Sequence, residues 1–187
     1  MKFIETKIKD LFILEPTVWK DDRGYFYESY SKQLFHNSGI DIDFVQDNQS
    51  LSHLGALRGL HAQAPPFAQG KLVRVMQGKV LDIAVDIRKG SPTYGDNFTI
   101  ELSGDNHKIL WIPPGFVHGF VTLENNTIFT YKVSGLYDKA SEIGIRWNDP
   151  DLNINWGIDP DKIIISEKDK VLPFFKDFKS PFKLTAI

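Results

Sequence analysis

Residues 71–88 read KLVRVMQGKVLDIAVDIR, two runs of alternating side chains separated by a Gln-Gly pair at 77–78. In the second run the apolar side chains at 81, 83, 85 and 87 share one face, and Asp82 and Asp86 share the other. A period of two is typical of a half-buried β-strand, and a glycine-containing pair between two such runs indicates a tight turn. The stretch therefore predicts a hairpin of two strands, each with one face toward the core.

Short strand-like segments continue on both sides of this hairpin, and turn signals such as Pro113-Pro114-Gly115 separate them. They are GYFYESY (24–30), FVQDNQS (44–50), ALRGLHAQ (56–63), NFTIELS (97–103), HKILWIP (107–113), GFVTLE (119–124) and TIFTYKV (127–133). Helix is expected only over residues 31–38 and, interrupted by a proline, over residues 166–175. Many short strands without alternating helices predict an all-β antiparallel jelly-roll barrel.

Length and composition exclude several classes of protein. The chain has 187 residues, which predicts one domain over 1–187, with an Asp-, Asn- and Pro-rich tail after Trp147 wrapped over the barrel. The 22 basic and 24 acidic side chains give no basic footprint for nucleic acid. No apolar run is long enough to span a membrane and none resembles a signal peptide, so we expect a cytoplasmic protein.

The chain has five histidines and no cysteine. Imidazole is therefore available as a ligand for a transition metal, whereas thiolate is not. PPGFVH (113–118) matches the P-x-G-x-x-H turn of cupin jelly rolls, with the next strand expected to start at His118. Many cupins bind a metal through this histidine and an earlier H-x-H, but here RGLHAQ (58–63) has Gln63 in place of the second histidine. Since amide oxygens are poor ligands for metals that prefer imidazole, we expect no metal. Each histidine could equally be a hydrogen-bonded core residue.

Longer segments resemble, in order, the dTDP-4-dehydrorhamnose 3,5-epimerase family. They are RGLHAQ (58–63), QGKLVRVMQGKVLDIAVDIRKGSPTYG (69–95), LWIPPGFVHGF (110–120), YKVSGLY (131–137), GIRWNDPDLNINW (144–156) and ISEKDK (165–170). The resemblance implies a cupin homodimer without metal or cofactor. It also implies the activity: dTDP-4-dehydro-6-deoxy-D-glucose is epimerised at carbons 3 and 5, which flank its ketone.

The resemblance assigns four catalytic residues, and their chemistry suits the reaction. His61 takes the proton next to the ketone, because imidazole has a pKa near neutral pH, and Asp169 orients it. Lys71 stabilises the enolate, and Tyr131 donates a proton from the opposite face. Plainer roles stay open: Asp169 in a helix capping box with Ser166, Lys71 as an outward surface lysine, and Tyr131 as a core tyrosine bonded to a carbonyl.

A second set of residues is expected to bind the sugar nucleotide. The resemblance gives Arg23, Glu28, Gln46, Asp47, Asn48, Arg58, Lys71, His118, Tyr137, Glu142 and Lys168. Arg58 offers a planar fork for phosphate oxygens, and the side-chain amides of residues 46–48 can read the thymine edge. Tyr137 corresponds to the residue that stacks on the base. Glu142 and Lys168 could also be ordinary surface charges.

The chain departs from the family pattern near the expected base. Ala62 stands where an aromatic residue is common, Gly70 stands where alanine is frequent, and the loop at 64–67 is unusual. We expect these changes to alter the wall beside His61. The alternatives are an epimerase acting at one carbon, a metal-dependent cupin, or a binding cupin without activity. Solvent exchange at each carbon and metal analysis would distinguish these hypotheses.

Overall fold

A computed structural model describes residues 1–184, so the last three residues of the expected domain over 1–187 lie outside the described residues. The strands are β1 (Lys2–Glu5), β2 (Phe12–Glu15), β3 (Trp19–Asp21), β4 (Gly24–Phe26), β5 (Gln46–Ser52), β6 (Ala56–Gln63), β7 (Lys71–Gln77), β8 (Lys79–Asp86), β9 (Asn97–Ser103), β10 (Ile109–Ile112), β11 (Phe116–Thr122), β12 (Thr127–Val133), β13 (Glu142–Gly144) and β14 (Ile164–Ile165). The helices are α1 (Lys32–Asn37) and α2 (Glu167–Lys170), with short 3₁₀ turns at Lys139–Ser141, Pro160–Lys162 and Phe175–Asp177.

The strands form two facing sheets and one small hairpin. The first sheet has the order β1-β2-β10-β7-β12-β5, and the second has the order β13-β6-β11-β8-β9, with β14 added beside β6. Among the strands of residues 1–184, every pairing is antiparallel except that of β14 with β6, and β3 pairs with β4 outside both sheets. The predicted antiparallel jelly roll with few short helices is confirmed.

The predicted hairpin over residues 71–88 is wrong, because β7 and β8 belong to different sheets. Strand β7 pairs with β10 and β12, whereas β8 pairs with β9 and β11. Val73 and Val80 lie in the same buried cluster, so the two strands face each other across the core. Gly78 makes the crossing with φ of +77°, where a Cβ would lie 2.4 Å from Thr127 Oγ1. A glycine turn between alternating runs thus also fits a corner between two sheets.

Strand β8 is buried on both faces, which corrects the expectation of a half-buried strand. Ala84 faces the space between the sheets, whereas Ile83 and Val85 join a second cluster on the outer face. Asp82 and Asp86 are 0% exposed. Asp86 pairs with Arg88 at 2.8 Å, so its charge is compensated inside the protein.

Chain segments outside the barrel cover the outer faces of both sheets. Leu152, Trp156 and Phe182, all after Trp147, belong to the outer cluster on the second sheet. On the first sheet, Phe35 from α1 packs with its ring edge toward Trp111, 6.3 Å between centroids. Both sheets are therefore buried on two faces, and side chains between the sheets are held from both sides.

The helix predicted over residues 31–38 is confirmed, but the one over 166–175 is only one turn long. Helix α2 stops before Pro173, in agreement with the steric effect of proline on the preceding turn. Several strand boundaries also differ: β11 begins at Phe116 rather than His118, and β4 ends at Phe26. Strand β5 is shifted from the predicted 44–50, and β10 is shorter than the predicted 107–113. Across residues 1–184, none of the helices has the length and apolar character needed to cross a membrane.

A close approach of two backbones sets the position of His61. Gly59 in β6 has φ of +136°, and a Cβ there would lie 2.5 Å from the Cα of Gly119 in β11. The register shifts between His118 and Phe120 at this point, and His118 pairs directly with His61. Because such a shift turns side chains toward a chosen face, the two histidines stand side by side.

Candidate active site

A cavity of about 540 Å³ opens between the two sheets. It is lined by Gln49, Ser50, Ala56, Leu57, Arg58, His61, Lys71, His118, Phe120, Phe129, Tyr131, Ile164, Ile165, Ser166, Lys168 and Asp169. All four predicted catalytic residues therefore line one pocket, together with three of the predicted binding residues that have no catalytic role. The lining combines aromatic and aliphatic side chains with polar groups from both sheets.

The predicted base and its partner are in contact. His61 Nε2 lies 2.6 Å from Asp169 Oδ1. Burial favours the neutral form of Asp169, but the hydrogen bonds from His61 and Ser166 outweigh it and hold the pKa of this carboxyl below its usual range. An ionised carboxylate can only accept, so the imidazole proton sits on Nε2. In the neutral imidazole the other ring nitrogen, Nδ1, then carries a lone pair.

The capping role of the Ser166–Asp169 pair coexists with the histidine contact. Ser166 Oγ accepts a hydrogen bond from the backbone N–H of Asp169 at 3.2 Å, which caps α2. The cap uses the serine oxygen and the backbone N–H of Asp169, so it does not compete with the bond between the carboxylate and His61. The two interpretations of the SEKD sequence are therefore compatible, and the cap fixes the aspartate that contacts His61.

His118 forms a second histidine–aspartate pair, which the sequence analysis missed. Its Nε2 lies 3.0 Å and 2.9 Å from the two carboxylate oxygens of Asp82. The imidazole stacks on Phe129, 6.2 Å between ring centroids. The alternation in β8 assigned Asp82 to a solvent face. The tail covers the face of β8 opposite Asp82. An aspartate on the other face of such a strand was the available signal that it is buried.

Lys71 enters the pocket in the same row as Val73 and Val75, as predicted. Burial lowers the pKa of Lys71 to about 8, and the carboxylates of Asp82 and Glu142 partly offset this effect. Within residues 1–184, its ammonium group has neither a hydrogen bond nor an ion pair. A half-buried cation without a partner is costly for the fold, so Lys71 is suited to bind a ligand that brings negative charge.

Tyr131 stands in β12 on the wall opposite His61, which lies in β6. Burial raises the pKa of Tyr131, and the positive charge of Arg58 acts in the other direction. In the part of the chain that the structure describes, no carbonyl accepts a hydrogen bond from its hydroxyl. The proton of Tyr131 is therefore available to a molecule in the pocket.

The mouth of the pocket combines a cation with hydroxyl groups. Arg58 is exposed and donates from Nε to Ser52 Oγ at 3.2 Å, and its terminal nitrogens have no hydrogen-bond partner within residues 1–184. Ser50 Oγ, another lining atom, is buried and has no hydrogen-bond partner among the described residues. Free guanidinium nitrogens and an unpaired hydroxyl suit the oxygens of a diphosphate.

Three predicted binding residues form a chain of contacts at the rim. The hydroxyl of Tyr137 donates to Glu142 Oε2 at 2.8 Å, and Lys168 pairs with the other oxygen of Glu142. Burial alone favours protonation of Glu142, but the bonds from Lys168 and Tyr137 lower its pKa below the usual range. Neither Tyr137 nor Glu142 lines the cavity itself; Lys168 connects them to it.

Two predicted binding residues lie away from the pocket of their own chain. Arg23 sits in the turn between β3 and β4 and pairs with Asp21 at 2.6 Å. Glu28 is exposed beyond the end of β4, so it does not lie within a strand as the GYFYESY segment predicted. Within residues 1–184, neither Arg23 nor Glu28 lines the cavity.

The predicted segment at residues 46–48 divides between two faces of β5. Gln46 Nε2 donates to Asn48 Oδ1 at 2.7 Å, and Asn48 pairs across the sheet with Tyr131. Asp47 forms an ion pair with Lys132 at 2.7 Å. A second cavity of about 380 Å³ takes in Asp47 and Asn48, whereas Gln46 lines neither cavity.

Two of the departures from the family pattern, at Ala62 and Gly70, lie outside the lining of the pocket, contrary to expectation. Ala62 alternates with His61 along β6, and its side chain joins the outer cluster. A Cβ at Gly70 would lie 2.4 Å from the Trp111 ring, outside the pocket lining. Adjacent strand residues point to opposite faces, so a change beside the base need not reach the substrate.

The donor set does not fit a metal centre. Gln63, at the position of the missing histidine, donates from its amide to the carbonyls of Phe67 and Leu136 at 2.7 Å and 3.1 Å. Within residues 1–184, histidine, aspartate and glutamate side chains do not gather in threes as a metal site would require. The geometry therefore favours acid–base chemistry for His61.

Comparison with known proteins agrees with this geometry. Residues 5–177 match the family model described as dTDP-4-dehydrorhamnose 3,5-epimerase. A curated relative of that name from Shigella flexneri is 48% identical over 170 residues, which is 90% of this chain and 93% of the relative.

Solved structures give the same result. The dTDP-6-deoxy-D-glucose-3,5-epimerase of Legionella pneumophila, in complex with dTDP-4-keto-L-rhamnose, is 41% identical, with a TM-score of 0.94 and 99% of each chain covered. A 3′-monoepimerase from Streptomyces bikiniensis, in complex with dTDP-quinovose, is 31% identical, with a TM-score of 0.84, covering 90% of this chain and 85% of that one. Enzymes named for one and for two centres therefore share this fold.

The lowered pKa of Lys71 can be measured directly. In protein labelled with ¹³C at lysine Cε, the Lys71 signal should titrate with a midpoint near pH 8, because burial disfavours the ammonium form. Lys71→Arg identifies the signal by removing it. Lys168 is the internal control: its bond to Glu142 raises its pKa above the ordinary lysine value of 10.5. A Lys71 midpoint above about 10 would show that the pocket does not desolvate the amine.

Proposed function

The chain belongs to the dTDP-4-dehydrorhamnose 3,5-epimerase family, and we propose that its pocket performs the family's reaction with His61 as base and Tyr131 as acid. The protein is an isomerase acting on a nucleotide-linked sugar. It converts dTDP-4-dehydro-6-deoxy-D-glucose to dTDP-4-dehydro-L-rhamnose by inverting carbons 3 and 5. In this proposal residues 1–187 act as one domain in the cytoplasm, without a metal or cofactor.

The observation that carries the proposal is that base and acid stand on opposite walls. His61 belongs to β6 in one sheet and Tyr131 to β12 in the other, and both line the same cavity. Inversion of a carbon needs removal of a proton from one face and delivery of a proton to the other. A sugar ring held between the sheets would present its two faces to these two residues.

Removal of the proton proceeds through an enolate, which the proposed site stabilises. His61 accepts the proton on Nδ1, and the ionised Asp169 on Nε2 stabilises the imidazolium that forms. Lys71, still mostly protonated at neutral pH, supplies positive charge to the oxygen at carbon 4. Tyr131 then donates its proton to the enolate carbon from the opposite face. The nearby positive charge of Arg58 stabilises the tyrosinate that remains.

The nucleotide half of the substrate would lie at the mouth. Arg58 and Lys168 are cations there, and their charges suit a diphosphate. His118 contacts the sugar, with Asp82 fixing its ring. Tyr137, 58% exposed, offers its ring face for the base. The proposal assigns the thymine edge to the amides of Gln46 and Asn48, which bond each other outside the catalytic cavity, with Asn48 in the lining of the second cavity.

We further propose that the protein is a homodimer in which each chain completes the other's site. Trp19, Tyr25 and Phe26, on the β3–β4 hairpin, are exposed by 53%, 56% and 66%, a set of aromatic rings that suits burial against another protein surface. The hairpin also carries Arg23, which is remote from its own pocket. A second copy would explain both features if its hairpin covers the pocket mouth of the first.

Solvent exchange tests the activity. In deuterium oxide, the keto sugar nucleotide should gain deuterium at carbons 3 and 5, measured by NMR and mass spectrometry. His61→Asn should slow exchange at both carbons by at least about 10³-fold, since it removes the base. His53→Asn, at an exposed histidine, is the matched control. Wild-type exchange at one carbon only would establish a single-centre epimerase, and exchange at neither would refute the proposal.

The role of Tyr131 is tested by separating exchange from inversion. Tyr131→Phe should keep deuterium exchange at the carbon facing His61 but lower the rate of inverted product by about 10²-fold, because the opposite face lacks its proton donor. Tyr94→Phe, outside the pocket lining, is the control. Equal loss of exchange and inversion would contradict the assignment of Tyr131 as the acid.

Subunit mixing tests the dimer. His61→Asn and Arg23→Ala chains should each have low kcat/KM. After dissociation and reassociation together they should recover about a quarter of wild-type kcat/KM per chain, because half of the dimers are mixed and each mixed dimer holds one complete site. Light scattering gives the mass. A monomer, or a mixture no more active than its components, would refute the shared site.

A further inference from the structure

Gln63 is buried at the end of β6, 4% exposed, and its amide bonds two separate loops. Nε2 donates to the carbonyl oxygens of Phe67 at 2.7 Å and Leu136 at 3.1 Å. Oε1 accepts from the backbone N–H of Asp138 at 2.8 Å. The two donor hydrogens and the acceptor oxygen of the amide are all used, which also fixes its orientation.

Two of these bonds enclose Tyr137. The Leu136 carbonyl precedes it in the chain and the Asp138 N–H follows it, so one amide holds the peptide groups on both sides of this residue. The phenol of Tyr137 is held by Glu142, which pairs with Gln63 across β13 and β6. The tyrosine is therefore fixed at its backbone and at its tip, and its ring stays open to solvent.

The segment at 134–138 depends on such bonds because it belongs to no strand. Besides Gln63, only Gln69 among the described side-chain amides bonds it, by donating from Nε2 to the carbonyl of Gly135 at 2.6 Å. Irregular backbone without strand pairing has few ways to hold one conformation. Ser134, at the start of the segment, also bonds Gly70 through its backbone N–H and its hydroxyl, so Gln63 holds the later part of the segment, around Tyr137.

We propose that Gln63 is a positioning residue that holds Tyr137 at the rim of the pocket, ready for the base of the nucleotide. The inference rests on the proposed function, since it takes the nucleotide as the ligand of the Tyr137 ring. The amide of Gln63 bonds no residue that lines the cavity. Gln63 therefore affects substrate affinity and leaves proton transfer unchanged. Preorganisation of a binding loop acts on affinity in this way.

The chemistry of the position is specific to an amide. Glutamate has the same shape but no donor, so its carboxylate would face the carbonyls of Phe67 and Leu136. Methionine fills the volume and leaves all three backbone groups unpaired. Both variants should release Tyr137 while the His61–Asp169 pair stays intact.

A double-mutant cycle tests the proposal. Gln63→Met should raise KM for the keto sugar nucleotide, and Kd for dTDP by calorimetry, about tenfold, as expected for weakened preorganising hydrogen bonds. kcat should stay within about twofold and its pH profile should not move. Tyr137→Ala should raise both constants to a similar extent. In the Tyr137→Ala background, Gln63→Met should then add less than about twofold.

The outcomes separate the two levels of inference. If Tyr137→Ala leaves KM and Kd unchanged, the proposed nucleotide contact is wrong and the positioning role falls with it, although solvent exchange would still report the epimerase. If only Gln63→Met is without effect, or if it adds its full effect in the Tyr137→Ala background, the positioning role alone is wrong. A fall in kcat equal to the rise in KM would indicate a general structural role and also overturn it.

Two further variants complete the test, one as a control and one as a replacement for Gln63→Met. Gln33→Met, at an exposed glutamine of α1, should change none of these constants. If Gln63→Met does not fold, Gln69→Ala removes a single bond from the same loop and should raise KM about two- to threefold with kcat unchanged. An unchanged KM in Gln69→Ala would then contradict control of Tyr137 by the loop bonds.

Discussion

The hydrogen bond between His61 and Asp169 joins residues 108 positions apart. Most of the chain between and after them therefore has to fold so that these two side chains meet. Asp169 reaches the pocket because β14 adds itself in parallel to β6, and α2 follows directly with Ser166 as its cap. The cluster around Trp156 holds the same segment against the second sheet. The late part of the chain is thus both a cover for an apolar sheet face and the carrier of a catalytic carboxylate.

Burial of this carboxylate explains why the contact has to be short and well oriented. A charge in a dry interior is costly unless hydrogen bonds compensate it, and Asp169 and Asp82 each meet this condition through one histidine. Asp86 meets it through Arg88. Lys71 is the exception, since no described group pairs with it and its pKa falls to about 8. Local rules for buried charge are most often broken where a ligand completes the environment.

Sequence patterns predicted a strand or helix correctly where its formation depends on residues close to it in the chain. The strand at 56–63 and the helix near 31–38 agree with the structure because alternation and capping are local properties. The hairpin over 71–88 failed because the pattern cannot say whether two adjacent strands pair or face each other across a core. Very short strands such as β3 and β14 were missed, since two or three residues carry no period.

The site shows the same division between local and distant information. Resemblance to the family gave the residue types at His61, Lys71 and Tyr131, and the structure shows that they converge on one cavity. Asp82 escaped the sequence analysis because its strand is buried on a face that the overlying tail covers. Gln63 shows the limit of a motif comparison. The motif indicates only that a metal-binding histidine is absent there, yet the amide of Gln63 bonds three backbone groups. Replacement of a histidine there by glutamine exchanges a possible ligand for two donors and an acceptor in a fixed plane, which is what an unpaired loop requires.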